Sequence, residues 1–187
     1  MHSQAKKGFT LIELLVVIAI LAVLATAIVV ILNPSQLLKQ SRDSTRLSDL
    51  AALNSAIALY LADYASAAFT SSTKCTGNIN PSGIACAGNV STSTVVTGTG
   101  WVTIDFTDIS SGSPLARLPL DPVNNDTYAY AFKSTASPTN TFEIDARMES
   151  SKYSSTTPAS SMTVNTKDGG NDDDFYEIGN DPGLDLE

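Results

Sequence analysis

The sequence predicts an α+β chain: a long N-terminal helix, membrane-spanning in its first half and amphipathic in its second, packed on a small antiparallel β-sheet. Three observations lead there. Leu14 to Leu32 is a run of nineteen residues in which Thr26 is the only polar one. Leu47, Leu50, Asn54, Ile57, Leu61 and Tyr64 then recur at alternating steps of three and four, the period of one helix face. The C-terminal half alternates with period two instead. In TFEIDARME, Phe142, Ile144, Ala146 and Met148 share one face, and Glu143, Asp145, Arg147 and Glu149 share the other, as in an antiparallel strand with one wet side.

The apolar run comes first. At 1.5 Å per residue it extends about 28 Å, close to one bilayer core. A secretory signal peptide has a shorter apolar region that ends at a small-residue cleavage site. Here Ala25-Thr26-Ala27 is followed by further apolar residues. Lys6 and Lys7 precede the run and favour a cytoplasmic N-terminus with the rest of the chain outside. A plain anchor leaves Glu13 unexplained, because an acidic residue inside a membrane helix costs on the order of 2–3 kcal/mol near the centre and less toward the edge.

Lys6-Lys7-Gly8-Phe9-Thr10-Leu11-Ile12-Glu13 resembles the class III signal of type IV pilins and pseudopilins. The pattern is a short basic leader ending in Gly, then Phe, then Glu five residues into the mature chain. The resemblance covers residues 1 to about 65. It implies a pilin fold, cleavage between Gly8 and Phe9 by a prepilin peptidase, and N-methylation of the new terminus at Phe9. It also implies a counter-ion for Glu13, the cationic terminus at Phe9 of a neighbouring subunit in a helical filament. An ion pair in low dielectric recovers much of the cost of burying a carboxylate, and a misregistered neighbour leaves both charges unpaired. Gly8, lacking a side chain, allows close backbone approach by the protease.

After the leader (1–8) and the transmembrane or filament-core helix (9–32), residues 33–68 form the amphipathic helix. Asn33-Pro34 predicts a kink in one helix running from about Phe9 to Ala67. KQSRDSTRLSD reads as a charged collar at the membrane surface. Its Arg42 and Arg46 are placed to meet lipid headgroups or a neighbouring subunit, or simply water. Residues 69–113 read as a loop region, with seventeen Ser or Thr between 70 and 113. It suits O-glycans or a merely polar loop, and Asn89-Val90-Ser91 and, beyond it, Asn125-Asp126-Thr127 match N-glycosylation sequons. WVTIDF within it alternates as a strand, with Val102, Ile104 and Phe106 on one face. Residues 114–187 hold the sheet and an acidic C-terminal loop, with TYAYAF and FYEIG as further strand-like stretches. LPLDP at 118–122 resembles the segment that precedes the sheet in major pseudopilins of type II secretion.

The chain's formal charge is −8. Eight of its acidic residues and none of its Lys or Arg lie in the last twenty positions, which argues against nucleic acid as a partner. The only cysteines are Cys75 and Cys86, and the only histidine is His2. A Cys/His metal site and a histidine-dependent triad are therefore excluded once the leader is removed. Outside the membrane the two cysteines are expected to form a disulfide, with a contribution of about 3 kcal/mol from closing a loop of this size. In KDGGNDDDFYEIGND, Asp168, Asn171, Asp172, Asp173 and Asp174 crowd oxygen donors into a Gly-containing turn suited to calcium, although the spacing is not that of an EF-hand. Some pseudopilins carry calcium in their C-terminal loops. The alternative is a solvated acidic turn. No phosphate-binding loop, activated nucleophile or catalytic acid pair stands out, so no enzyme is expected.

The expected function is that of a structural subunit of a type IV pilus-like filament. It waits in the cytoplasmic membrane and assembles through its N-terminal helix. Its partners would be like subunits, the prepilin peptidase and, by family resemblance, an assembly ATPase and platform protein. The alternatives are a pseudopilin of a type II secretion system, an anchored extracellular binding module that never polymerises, and an anchored enzyme.

Overall fold

The computed structural model describes residues 8–64, 67–81, 84–154 and 164–185. The chain forms two compact units, Met1–Leu38 and Lys39–Glu187. Helix α1 spans Leu11–Leu32, and Leu11–Val29 is long and apolar enough to cross a membrane. The described side chains of α1 are exposed in the lone chain. Thr26 donates its hydroxyl to the Ala22 carbonyl at 2.9 Å, so the one polar side chain of the run is satisfied within the helix.

The expected single kinked helix is two helices. α1 stops at Leu32, Asn33 takes a left-handed φ of 41°, and α2 runs from Pro34 to Asp63. Asn tolerates that conformation at a helix end. Proline has no N–H to lose at the first position of a helix, where its fixed φ is already helical. The Asn33 carbonyl accepts from Gln36 and Leu37. α2 also ends four residues earlier than expected. The Asp63 carboxylate there accepts the Ser110 amide at 2.6 Å and hydroxyl at 2.8 Å.

Within the Lys39–Glu187 unit, four strands form one antiparallel sheet in the order β1-β2-β3-β4. They are β1 Ser72–Cys75, β2 Tyr130–Ser134, β3 Phe142–Arg147 and β4 Phe175–Gly179. β1 comes from the stretch expected to be loop. Ser-Thr-Lys-Cys has no alternating apolar pattern; pairing with β2 and a bridge from Cys75 to Val90 define it. Tyr130, Phe132, Phe142, Ile144 and Ala146 pack with Leu50, Leu53, Ile57 and Tyr60 of α2 in the main core. The buried stripe of α2 is rotated slightly from the expected one. Leu50 and Ile57 are shared, Leu53 and Tyr60 are buried, and Leu47, Asn54, Leu61 and Tyr64 flank the stripe half-buried.

WVTIDF is not a strand. Trp101, Val102, Ile104 and Phe106 are all buried. Their amides bond to loop carbonyls, Trp101 to Ser93 and Phe106 to Val96, and Phe106–Asp108 is a 3₁₀ turn capped by Asp105. The apolar alternation reflects burial in the core, not membership of the sheet.

The sheet has no wet face at β3. Its second side carries another small core of Cys75, Ile79, Ile84, Cys86, Ala129, Ala131 and Phe175, and Glu143 and Asp145 are fully buried. The period-two pattern reports only that the two faces differ. It carries no information about what covers the second one.

Arg46 is no membrane collar either. It is fully buried and donates to both oxygens of Asp121, at 2.6 and 3.0 Å, and to Asp43 at 2.7 Å. Asp43 in turn accepts the amides of Glu149 and Ser150, and the guanidinium lies 5.0 Å over the Tyr128 ring. Asp121, from LPLDP, is thereby fastened to α2. Arg42, about one-third exposed, pairs with Glu149. Removing one partner of a buried ion pair leaves the other charge stranded, at about 3–5 kcal/mol, whereas an exposed pair contributes about 1 kcal/mol or less. Urea unfolding in detergent should therefore show Arg46→Ala destabilised by about 3–5 kcal/mol, with Arg42→Ala within about 1 kcal/mol of the parent.

Candidate functional site

At the N-terminus, Phe9 is exposed and no heavy atom lies within 4 Å of where a Cβ on Gly8 would stand. The expected scissile bond is therefore open on both sides. The leader before Gly8 lies outside the described residues. Thr10 caps α1 in extended conformation, and Thr10 with Glu13 forms a reciprocal capping box. Glu13 Oε2 accepts the Thr10 amide at 2.7 Å and the Thr10 hydroxyl at 2.8 Å, and the Thr10 hydroxyl accepts the Glu13 amide at 3.3 Å. Among the described residues, no hydrogen bond reaches Oε1.

Glu13 thus has a partner in its own chain as well as the one the resemblance implies. It satisfies helix-end N–H groups and faces the positive end of the helix dipole. The signal was legible in the sequence: Thr10-x-x-Glu13 directly ahead of an apolar run is a capping-box pattern.

Residues 3–29 match the family model of the prokaryotic N-terminal methylation motif. The N-terminal segment is a class III prepilin signal. The motif supports a pilin-like or pseudopilin precursor, and the apolar helix and small antiparallel sheet form an α+β architecture consistent with the pilin fold. No curated protein and no solved structure matches the chain.

Beyond the prepilin signal, Cys75 and Cys86 are joined by a disulfide with their Cα atoms 5.5 Å apart. Both are buried in the second core. Cys75 ends β1, so the bond fastens the 76–86 loop onto the outer side of the sheet.

The acidic C-terminal segment folds inward over the same side. The Asp168 carboxylate accepts the Gly170 and Glu177 amides at 3.1 and 2.9 Å. The Asp172 amide donates to Glu177 Oε2 at 3.0 Å. Gly170 sits so close that a Cβ there would collide with the Glu177 carboxylate. Asp174 pairs with Arg147 at 3.0 Å, the Asp173 carbonyl accepts from Asn165, and Asn171 is exposed. Among the described residues, no three of the four aspartates expected as calcium ligands bring carboxylate oxygens together.

Three other carboxylates do. Glu143, Asp145 and Glu177 each bring one oxygen to within 4.8 Å of the others, and all three are buried. Asp145 and Glu177 face each other across β3 and β4, with Glu143 two residues along β3 on the same side. Sequence reading missed this group because it assigned Glu143 and Asp145 to water. The available signal was an acid-rich strand in the same chain half as an acidic loop.

Burial pushes Asp145 well above the usual carboxylate range, and the charges of Glu143 and Glu177 push it further. Burial likewise raises Glu177 to about 8, against an ordinary 4.5, with Glu143, Asp168 and Asp172 adding to it. A carboxyl whose pKa is raised on folding favours the folded state below its unfolded pKa, and this advantage is lost as pH rises through the folded value. In chelator-containing buffer, the melting temperature should therefore fall as pH rises from about 4.5 to about 8. Glu177→Gln should flatten that slope in a calorimetric pH series.

Proposed function

We propose that this chain is the precursor of a structural subunit of a type IV pilus-like filament. In this reading it is held in the cytoplasmic membrane by α1 with Lys6 and Lys7 inside. It is cleaved between Gly8 and Phe9 by a prepilin peptidase, N-methylated at Phe9, and assembled through its N-terminal helix with like subunits by an ATPase and platform protein.

The observation that carries the reading is the placement of Glu13. It lies five residues into the mature chain, at the head of a helix apolar enough to span a membrane, inside a matched methylation motif. Cleavage creates a cationic amine at Phe9. In the capping box only Oε2 is engaged, so Oε1 remains for the amine of a neighbouring copy. In hydrocarbon that attraction is weakly screened, and a neighbour one step out of register forfeits it.

The capping box makes a sharp test available. Glutamine at this position can still reach back to the N-cap amide but carries no charge. Glu13→Gln should leave the melting temperature of the protein unchanged and reduce filament yield, counted by electron microscopy, by tenfold or more. Normal filaments would confine the carboxylate to capping. Mass spectrometry of assembled protein should find methylated Phe9 as the first residue, and an intact leader would point to a plain anchored module.

A pseudopilin of type II secretion is the second reading. The LPLDP likeness favours it, since in this chain Leu118 is buried and Asp121 holds Arg46. Long surface fibres rather than short periplasm-spanning ones in the same micrographs would decide against it.

A further inference from the structure

We propose that Glu143, Asp145 and Glu177 bind a calcium ion on the outer side of the β3–β4 pair, beneath the acidic C-terminal loop and not within it. The site is built from strands. Asp145 and Glu177 are direct partners in the ladder, and Glu143 projects from the same side of β3. One oxygen from each lies within 4.8 Å of the other two. Oxygens bound to one calcium at about 2.4 Å stand at most about 4.8 Å apart, so the three lie in the range from which they can close on a single ion.

The second observation is an unmet demand for positive charge. Asp145 is fully buried and Glu177 is 1% exposed. Among the described residues, no hydrogen-bond donor reaches either oxygen of Asp145 or Oε1 of Glu177. A buried carboxylate without a donor or counter-charge must take up a proton or a cation.

The surrounding charges do not supply enough. From the loop, Asp168 and Asp172 add negative charge. On β3, Arg147 is engaged by Asp174 and lies over the Phe175 ring. On β2, Lys133 is opposite Glu143 in the ladder and brings a single positive charge against three negative ones. A dication balances the remainder. With oxygen donors only, the set suits a hard cation and not zinc or copper. Calcium accepts irregular carboxylate geometry more readily than magnesium, which demands near-octahedral coordination and keeps its waters.

The ion would also fasten the loop. Asp172 donates its amide to the Glu177 carboxylate, and Asp168 accepts the Glu177 amide. The segment from Asp168 to β4 is thereby tied to the residue that holds the ion.

The test uses the full-length protein in detergent, stripped with EGTA and titrated with CaCl₂ by calorimetry. One ion should bind per chain. At a hundredfold excess over Kd the melting temperature should rise by roughly 5–10 °C, with MgCl₂ producing a smaller rise. Asp145→Asn should abolish binding and, in EGTA, melt no lower than the parent, because it removes a buried charge. Asp173→Asn, in the loop, should bind as the parent does. The proposal is overturned if calcium changes neither the heat nor the melting temperature. It is equally overturned if binding survives Asp145→Asn but is lost in Asp173→Asn, which would place the ion in the loop.

Discussion

A carboxylate taken out of water must find positive charge or give up its own. That constraint organises this chain from end to end. Glu13, exposed in the lone chain, finds its donors at the start of a helix, in the Thr10 amide and hydroxyl. At Asp43 and Asp121 the constraint meets a buried guanidinium with enough donors to serve both. On the second side of the sheet it meets other carboxylates. Most of the fold follows from keeping these groups in place. The Arg46 cluster fixes α2 to the segment leading into β2, and the acidic loop closes over the outer side of β3 and β4.

The first and third of these sites contrast with the second in kind. The Arg46 cluster is complete within one chain: the guanidinium donates to Asp43 and Asp121 and lies 3.6 Å from Glu149, and Asp43 takes two further amides. Such a cluster fixes geometry and needs nothing more. Glu13 and the Glu143, Asp145 and Glu177 group are only partly satisfied internally. Partly satisfied polar groups in native proteins tend to mark places where something else completes the structure. In the readings proposed above the two places take different completions, another copy of the chain at one and a small cation at the other.

How much of this the sequence disclosed depends on how local the cause was. α1 was legible because an uninterrupted apolar run admits few readings, and the prepilin signal was legible because Gly8, Phe9 and Glu13 stand at fixed spacing. β2 and β3 were legible from alternation, and FYEIG, the β4 segment, read as strand-like. Arg46 was not, since a charged residue on an amphipathic helix reads as solvated unless its partners are known, and Asp121 lies 75 positions away. The strand that WVTIDF suggested failed for a related reason. Alternation records that side chains differ in burial, and a folded loop around Trp101 satisfies that as well as a ladder does. The burial of Glu143 and Asp145 was invisible because the irregular segments beyond the sheet have too little periodicity to be placed in advance.

The junction at Asn33 has a practical side. The amides of Gln36 and Leu37 turn back to the Asn33 carbonyl, so α2 begins its own hydrogen-bond ladder at the junction. Excising everything ahead of Asn33 removes the greasy anchor and leaves the capping carbonyl in place.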